Sequence, residues 1–371
     1  MRLTASVAVV GGGVVGSAAA LFLAERGEDV VVLERASGPT QASVRNAGGL
    51  RAQCRNRTER RLALASIALW RDLAARTGID IEYRQGGNLR VALAEPTLDA
   101  LAAQGVEEAE DGLATEIWDR AALRRRAPHL SARFAGAKYC ATDGHANPIL
   151  ATWMVVNAAK AAGVRYLTGA DATHLDVDGG RVRGLRATAG GEVLHVEAPT
   201  VVHAAGPWTA ALAATIGVEL PLTPARNAML VSERVPPLLA EFVSSHELKV
   251  YLRQARAGQV HVGGVFTVDG TFDQRVTHAE IAHLARAVEI LPELGRMRIL
   301  RTWAGTLDLT PDHLPLLGTP SGVDGYLVAA GFSGHGFCLG PAIGRTVAEL
   351  VTGEPTSVDV TPLHPDRFAA C

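Results

Sequence analysis

The chain opens with a short apolar strand that runs directly into a glycine-rich turn. Val7–Val10 precedes Gly11, Gly13 and Gly16, spaced as G-x-G-x-x-G, and an alanine-rich helix follows. The first glycine permits the tight turn, the second lets a pyrophosphate approach the backbone, and the third lets the helix pack closely on the strand. The helix N-terminus offers unpaired N–H groups and a positive dipole end to phosphates. We therefore predict a dinucleotide-binding unit at the start of the chain.

A second apolar strand, at 29–33, completes this unit and ends at Glu34. A carboxylate at that point can accept hydrogen bonds from both ribose hydroxyls of an adenosine. The glycine pattern by itself is weak evidence, because the chain contains 39 glycines. Strand, turn, helix, strand and acid occur here in the required order, which favours the fingerprint over a chance loop.

Composition excludes several classes of protein. The chain has 371 residues, enough for two domains or one large composite domain. Its 36 Lys and Arg nearly balance 38 Asp and Glu, so neither nucleic acid nor an anionic membrane is an expected partner. We interpret the basic clusters at 55–57 and 124–126 as solvated helix faces. No stretch reaches the ~18 apolar residues of a transmembrane segment, and the first apolar run is too short for a signal peptide.

The cysteines are scattered and form no C-x-x-C pair. They are Cys54, Cys140, Cys338 and Cys371. This distribution predicts a reducing, cytoplasmic location and argues against a disulfide reductase. It also argues against a zinc site, and no other metal site is predicted.

Two later segments are predicted to contact the same dinucleotide cofactor, one at 203–208 and one at the glycine-rich 331–340. The second places small residues and a helix N-terminus beside a group that needs close backbone approach. An isoalloxazine ring fits, because two-electron reduction leaves negative charge at its N1 and C2 carbonyl, which fixed N–H dipoles stabilise. There is no second G-x-G-x-x-G to seat NAD(P)H and no redox C-x-x-C. We therefore predict FAD that is reduced by an organic substrate.

Strand and helix patterns begin and end the chain, and a strand-rich block lies between them. The predicted fold class is α/β, with a Rossmann-like FAD-binding domain of the glutathione-reductase type. An inserted α+β substrate domain is built on a mixed or antiparallel sheet. We predict that the FAD-binding domain comprises 1–82, 146–218 and 302–371, and the substrate-binding domain 83–145 and 219–301. A helix is expected at 278–291 and a strand at 248–253.

These residues resemble the D-amino-acid oxidase-like superfamily of FAD enzymes. The resemblance covers nearly the whole chain and is greatest in the branch with sarcosine oxidase β subunits, glycine oxidase and the β subunits of opine and D-hydroxyproline dehydrogenases. Besides the fingerprint, the matching segments are 43–49, 143–148, 203–208, 253–254, 302–305, 310–312, 317–318 and 331–337. The resemblance implies noncovalent FAD and oxidation of an amine next to a carboxylate, giving an imine that hydrolyses to a keto acid. It also implies an α partner subunit and a small iron–sulfur or FAD/FMN-carrying subunit.

Two departures from the family pattern limit what the resemblance implies. Monomeric sarcosine oxidases tether FAD through a cysteine near the segment that matches 302–309, and this chain has Trp303 and Ala304 there with no cysteine. Glycine oxidase binds the substrate carboxylate with an arginine at the position of Leu307. Recognition of a carboxylate must therefore come from another residue, or the substrate differs.

The candidate residues follow from the fingerprint and the matching segments. Those predicted to bind the cofactor are Gly11, Gly13, Val14, Val15, Gly16, Glu34, Arg35, Ser43, Arg45, Asn46, Ala47, Gly48, Gly49, Ala172, Ala204, Ala205, Gly206, Trp208, Gly305, Gly331, Ser333, Gly334, His335, Gly336 and Phe337. Those predicted to act at the substrate are Arg51, Tyr251, Arg253 and His335.

Each substrate-site candidate also has a plainer interpretation. Lys249, Tyr251 and Arg253 alternate along one predicted strand, so they share a face, either over the flavin or simply toward solvent. Arg253 is the leading candidate for the carboxylate and Arg51 the first alternative. His335 lies between two glycines, where we expect a polar neighbour of flavin or substrate rather than a proton acceptor. Asn147, and His145 beside it, are as well explained by capping the helix that follows.

Three functions are compatible with these features. The leading hypothesis is the catalytic β subunit of a heteromeric FAD-dependent dehydrogenase that oxidises a small amino-acid-like substrate. The second is a self-sufficient oxidase that passes electrons to O₂. The third is a subunit whose FAD only relays electrons, which the leucine at 307 leaves open.

Overall fold

The computed structural model describes residues 2–368 of the chain. Its strands, numbered in chain order, are β1 (Arg2–Thr4), β2 (Val7–Val10), β3 (Val30–Glu34), β4 (Gly49–Leu50), β5 (Asn88–Ala92), β6 (Glu116–Asp119), β7 (Gly136–Cys140), β8 (Gly144–His145), β9 (Arg165–Thr168), β10 (Ala170–Asp178), β11 (Arg181–Ala189), β12 (Glu192–Glu197), β13 (Thr200–His203), β14 (Thr223–Arg234), β15 (Phe242–Ser245), β16 (Val250–Gln254), β17 (Gln259–Thr267), β18 (Ile299–Leu309), β19 (Leu316–Gly318) and β20 (Tyr326–Ala330). Its α-helices are α1 (Val14–Ala24), α2 (Ala42–Arg45), α3 (Arg57–Thr77), α4 (Glu95–Glu110), α5 (Arg120–Arg126), α6 (Pro148–Ala161), α7 (Thr209–Ala214), α8 (His278–Leu284) and α9 (Gly336–Thr352). Cys371 lies outside the described residues.

A six-stranded sheet carries the fingerprint. Its order is β19-β20-β13-β2-β3-β9, and all of its strands except β19 run parallel. Val7 and Val9 face a core formed with α1, α3, α6 and α9. Ala8 and Val10 face a second core formed with the sheet β1-β12-β11-β10. Because both faces of β2 are covered, the strand is apolar at every position, as expected for a buried parallel sheet.

A larger mixed sheet forms the other half of the molecule. Its order is β18-β14-β17-β16-β15-β5-β7-β6, and β15 and β5 are the parallel pair. One face packs on α5, α8 and the short 3-10 helices after α8. On the other face, Met229 and Phe242 form a small apolar cluster with Ala47, and Tyr251 and Trp303 pack against this cluster. This second face therefore covers the loop that follows α2.

Three local predictions differ from the structure. The helix expected at 278–291 ends at Leu284 and continues as a 3-10 helix to Glu289. The residue before Pro292 is extended, as the proline ring requires, so no helical turn passes that point. Lys249 has a φ of 53°, in the left-handed region, and therefore precedes the strand instead of alternating within it. The predicted boundary at 302 falls inside β18, which pairs with β14 as part of the larger sheet.

No helix within residues 2–368 has both the length and the apolar character needed to cross a membrane.

Helices α1 and α9 pack at very short range through small residues. A Cβ placed on Gly344 would lie 2.6 Å from the backbone nitrogen of Ala19 and would also meet the Ala18 side chain. A Cβ on Gly340 would lie 2.8 Å from the side chain of Val14. This contact fixes the start of α1 relative to the turn that precedes α9. Both lie at the cofactor site described below.

We expect Gly344→Val to destabilise the protein by about 3 kcal/mol or more, because neither helix backbone can move aside without opening the core. Urea unfolding followed by circular dichroism measures this cost. The matched control is Gly295→Val, since a Cβ there has its nearest neighbour at 4.0 Å. Equal stability of the two variants would show that the close helix contact is not required.

Candidate functional site

A cavity of about 380 Å³, which we call the cofactor cleft, lies at the carboxyl ends of β2, β3 and β13. Gly11 turns the chain at its floor with a φ of 103°, and a Cβ there would lie 2.8 Å from the backbone carbonyl carbon of Ala204. A side chain at Gly13 would contact the Ser43 hydroxyl at 3.0 Å. The turn therefore leaves bare backbone facing the cleft, the cradle that a pyrophosphate requires.

The N-terminus of α1 points into this cradle. Gly13 is its N-cap and supplies no side-chain hydrogen bond, and the first turn contains no acidic residue. The Val14 N–H donates to the Ser43 hydroxyl at 3.0 Å. Because no acid neutralises this helix end and the N-cap is a glycine, its positive dipole end is suited to bind an anion.

Glu34 stands on the wall of the cleft with its carboxylate fixed by two backbone donors. The Gly12 N–H donates to Oε2 at 2.9 Å, and the Ala36 N–H donates to Oε1 at 2.9 Å. The side chain is half-buried and lines the cleft. This is the position and the charge that an adenosine ribose requires.

Most of the predicted cofactor residues lie on this cleft. Those that line it are Gly11, Gly13, Val14, Val15, Glu34, Arg35, Ser43, Asn46, Ala172, Ala204, Ala205, Gly206, Trp208, Gly334, Gly336 and Phe337. The Arg35 guanidinium lies 3.6 Å above the centre of the Trp208 ring, and that ring stacks on Phe272 at 5.2 Å.

Three predicted cofactor residues lie on neither cavity wall. A Cβ on Gly16 would meet the Gly11 carbonyl, and one on Gly48 would meet the Ala146 carbonyl. The Gly331 N–H donates to the Asp308 carboxylate at 2.6 Å. These glycines shape the turns around the site and do not face its interior.

A second cavity of about 630 Å³ adjoins the cofactor cleft, and we call it the arginine cavity. Five residues line both cavities, so the two are continuous: Ala42, Asn46, Leu307, Gly334 and Phe337. Predicted residues that line the arginine cavity are Arg45, Ala47, Gly49, Arg51, Tyr251, Gly305, Ser333 and His335.

Arginines give this cavity its positive charge. Arg45, Arg51, Arg55 and Arg90 line it together with Lys249, and no Asp or Glu is among its described lining residues. Arg51 donates to the carbonyls of Gln53 and Cys54, Arg55 donates to the Arg51 carbonyl at 2.6 Å, and Arg90 donates to the Ser244 hydroxyl at 3.3 Å. Burial, and then repulsion by Arg55 and Arg90, lower the pKa of Arg51 to about 10, so it stays charged at neutral pH.

The solvated helix face predicted at 55–57 is wrong for Arg55. Its side chain is 3% exposed and lies 3.8 Å from the Glu59 carboxylate at the start of α3. Arg90 was missed because it alternates with apolar residues on β5, where a charge has no visible partner in the sequence. The sequence did contain a signal for Arg90, because a charged residue between apolar residues of a strand needs a specific partner.

His335 caps the start of α9 and faces the arginine cavity. Its Nδ1 lies 2.9 Å from the Glu59 carboxylate, which is buried. Burial, and then the charge of Arg55, lower the pKa of His335 to about 4. The imidazole is therefore neutral at physiological pH and donates its Nδ1 proton to Glu59, which leaves Nε2 as an acceptor.

Tyr251 and Arg253 share a strand face, as predicted, but they occupy different surroundings. Tyr251 lines the arginine cavity, its hydroxyl donates to Met229 Sδ at 3.3 Å, and burial raises its pKa to about 12. Arg253 is 3% exposed, donates to the Ala47 carbonyl, and is not among the described residues on the cavity wall. The structure therefore places Arg253 behind the loop and Arg51 at the cavity.

Asn147 caps α6 by accepting from the Ile149 and Leu150 N–H groups, which is the plainer of its two interpretations. His145 is buried next to Arg253, and burial lowers its pKa to about 3. Within residues 2–368 there is no group of three or more His, Cys, Asp or Glu residues that could hold a metal ion.

We expect Glu34→Ala to weaken FAD binding by about 1–3 kcal/mol, because it removes a charged acceptor and frees the Gly12 N–H. Titration of the apoprotein with FAD, followed by fluorescence, gives the dissociation constant. Glu219→Ala is the control, since Glu219 is exposed and lies on neither cavity. If both variants bind FAD like the wild type, the ribose lies elsewhere.

The fold and the cavities agree with comparisons with known proteins. The family model described as FAD dependent oxidoreductase (DAO) matches residues 6–350. The chain is 31% identical over 376 residues to glycine oxidase from Geobacillus kaustophilus, covering 97% of this chain and 96% of that relative. It is 30% identical over 413 residues to hydrogen cyanide synthase subunit HcnC from Pseudomonas aeruginosa, covering 99% and 97%.

Solved structures give the same result. L-proline dehydrogenase from P. horikoshii superposes with a TM-score of 0.93 at 27% identity, covering 99% of this chain and 98% of that chain. The glycine oxidase from Geobacillus kaustophilus superposes with a TM-score of 0.91 at 29% identity, covering 99% and 100%. The cradle at the start of α1 and the fixed carboxylate of Glu34 suit the cofactor that defines this family. The chain belongs to the DAO family and is an FAD-dependent oxidoreductase of the type that acts on amino acids or amines.

Proposed function

We propose that this enzyme oxidises an amine that carries a carboxylate, as in an amino acid or an N-substituted amino acid. The observation that supports this most directly is the arginine cavity, which is positively charged and continuous with the cofactor cleft. A buried guanidinium is the side chain that best binds a carboxylate, because its planar fork makes two parallel hydrogen bonds.

Each residue on the cavity then has a defined task. Arg51, and Arg55 beside it, bind the substrate carboxylate, a role that we assign to Arg51 in place of Arg253 because of their positions. The His335 Nε2 accepts a hydrogen bond from the amine, while Glu59 fixes the ring. Phe242 and Phe337 line the cavity and exclude water from the reacting carbon.

The FAD-binding task falls to the residues of the cofactor cleft. Gly11, Gly13 and the start of α1 hold the pyrophosphate, and Glu34 holds the ribose. When bound, FAD supplies a two-electron acceptor at N5 for the hydride of the substrate α-carbon. The substrate leaves as an imine, which water hydrolyses to a keto acid.

We propose noncovalent FAD. The segment 302–309 has no cysteine. Cys338 does line the arginine cavity, but burial raises its pKa, so it is a thiol and a poor nucleophile at neutral pH.

We expect acid precipitation to release all of the yellow colour into the supernatant as FAD, because no reactive thiol is available. Absorbance of both fractions measures the distribution, and Cys338→Ala is the control. Flavin that stays with the wild-type pellet but not with that of Cys338→Ala would identify a covalent link at Cys338. Flavin in both pellets would identify another attachment point.

We further propose that the chain works as the catalytic subunit of a heteromeric dehydrogenase, with an α subunit and a small iron–sulfur or FAD/FMN-carrying subunit. The chain is similar to HcnC, which is named as a subunit of hydrogen cyanide synthase, and this similarity supports a multi-subunit arrangement. Similarity to glycine oxidase favours the second candidate, a self-sufficient oxidase.

The described cysteines, Cys54, Cys140 and Cys338, are free thiols, which supports a cytoplasmic location.

We expect the purified chain to reduce an artificial dye when supplied with amino acids or N-alkyl amino acids, and to release little hydrogen peroxide. A panel of such amines, assayed for dye reduction and for peroxide, measures both outcomes. Stoichiometric peroxide would identify a self-sufficient oxidase instead. Bound FAD that no amine reduces under anaerobic conditions would refute the proposed chemistry and leave electron relay as the function.

A further inference from the structure

The arginine cavity holds more positive charge than one carboxylate requires. Of its four guanidinium groups, only Arg55 has a carboxylate within 4.0 Å among the described residues, and that carboxylate is Glu59. Arg51 and Arg90 make their described hydrogen bonds to carbonyl and hydroxyl oxygens. Within residues 2–368 neither of them forms a direct ion pair, and Asp143 and Glu59 act on Arg51 only from beyond 4.0 Å.

Arg55 has an ion partner in the protein and braces the cluster. Its side chain is 3% exposed, its NH1 group lies 3.8 Å from the Glu59 carboxylate, and its Nε–H donates to the Arg51 carbonyl at 2.6 Å. At that distance from Glu59 the NH1 group has no hydrogen-bond acceptor within residues 2–368. Glu59 is thus the one carboxylate that offsets this charge at close range, and the cavity wall keeps an excess of positive charge.

The pyrophosphate does not use this charge. The cradle at Gly11 and Gly13 belongs to the cofactor cleft, and none of Arg51, Arg55 and Arg90 lines that cleft. Arg45 also lines the arginine cavity, but it donates to Thr40, Gln274 and Ala304 oxygens and so holds the loop. Arg90 makes one described hydrogen bond, to the Ser244 hydroxyl, which also lines the cavity.

The charges approach the cavity from two different elements. Arg51 and Arg55 come from the segment between β4 and α3, and Arg90 comes from β5 in the larger sheet, where it lies opposite Ser244. Burial, and then repulsion by Arg55 and Arg90, lowers the pKa of Arg51. A ligand with two anionic groups could pair with both elements at once and relieve that repulsion.

We propose that the substrate is a dicarboxylic amine, with one carboxylate on Arg51 and Arg55 and a second on Arg90. This inference rests on the proposed function and names its substrate class. The second carboxylate belongs either to the side chain of the amino acid or to the substituent on its nitrogen. Both types contain one amine and two carboxylates. An amine with a single carboxylate leaves the Arg90 guanidinium without an anionic partner.

Binding of compounds that cannot be oxidised tests the charge requirement without turnover. The probes are succinate and its monoamide succinamate, which have nearly the same shape and differ by one charge. Perturbation of the bound FAD spectrum gives each dissociation constant. We expect the wild type to bind succinate at least about tenfold more tightly than succinamate, the effect of one buried charge-assisted pair.

Arg90→Met removes the guanidinium on the sheet and keeps an apolar stem of similar length. We expect the preference for succinate to fall below about threefold while FAD content and succinamate binding stay as in the wild type. Arg124→Met is the matched control, since Arg124 is exposed on α5 and lies on neither cavity. Arg90→Lys should recover part of the preference, because it restores the charge without the fork. Equal affinity of the wild type for the two probes would overturn the proposal, as would an unchanged preference in Arg90→Met.

Anaerobic reduction of bound FAD then identifies the substrate type and separates the two levels of inference. The paired amines are racemic N-methylaspartate against N-methylasparagine, and N-(carboxymethyl)alanine against the amide of its carboxymethyl group. A dicarboxylic amine that reduces FAD at least tenfold more efficiently than its amide supports the proposal and identifies which carboxylate position is used. Amides that react as well as both diacids would overturn the dicarboxylate assignment and leave amine oxidation intact. Reduction by another amino acid of the panel but by none of these four would also overturn the dicarboxylate assignment. Bound FAD that no amine reduces would instead refute the proposed function.

Discussion

The loop between α2 and α3 determines both cavities, and its backbone is held by side chains from the two halves of the molecule. From the half that carries the fingerprint, Cys338 on α9 accepts from the Arg51 N–H through its sulfur at 3.3 Å. Beside the larger sheet, Asp143 accepts from the Ala52 N–H at 2.7 Å, and Glu108 on α4 accepts from the Cys54 N–H at 2.6 Å. From the larger sheet, Arg253 donates to the Ala47 carbonyl and the Trp303 indole donates to the Arg45 carbonyl at 2.9 Å. Buried backbone groups need such partners, so the loop can adopt this path only with both sheets in place.

Burial of this loop between the two halves determines which side chains of the site are charged. Burial lowers the pKa of His335 to about 4, so this imidazole carries no charge at neutral pH. Burial raises the pKa of Asp143 to about 6, and this carboxyl stays mostly ionised at neutral pH. A guanidinium remains protonated under the same conditions because its pKa starts far higher. Arginine is thus a residue type that can keep a fixed positive charge in this interior, and four arginines line the cavity.

The parts of the fold that follow local rules could be predicted from the sequence. The turn at Gly11, the start of α1 and the acid at Glu34 form one continuous segment, in which each residue has a position set by its neighbours in the chain. The mixed sheet of the second half was also expected, although the start of its last strand, β18, was not. That strand is defined by pairing with β14, and pairing of distant segments leaves little local signal.

The substrate side of the site could be predicted only in part, because it is assembled from distant segments. Arg51 and Tyr251 were found from the family pattern and from strand alternation. Arg253 lies on the same strand face as Tyr251, as the alternation predicts, yet the loop covers Arg253. Alternation with a period of two residues specifies the face of a strand but not which segment packs on that face. Arg55 resembled a surface residue because its partner Glu59 is recognisable only once α3 is known to start at Arg57.

The unpaired charge of the arginine cavity also has a consequence for stability. A protein that keeps four guanidinium groups on one cavity wall, with a single carboxylate within 4.0 Å of them among the described residues, loses folding free energy at that point. The close contact of α1 with α9 and the apolar cores on both faces of β2 offset this cost elsewhere. Sequences break local rules of charge pairing mainly where a ligand supplies the missing partner. The same residues that make the empty cavity unfavourable therefore make binding of an anion favourable, and this links the stability of the loop to occupancy of the site.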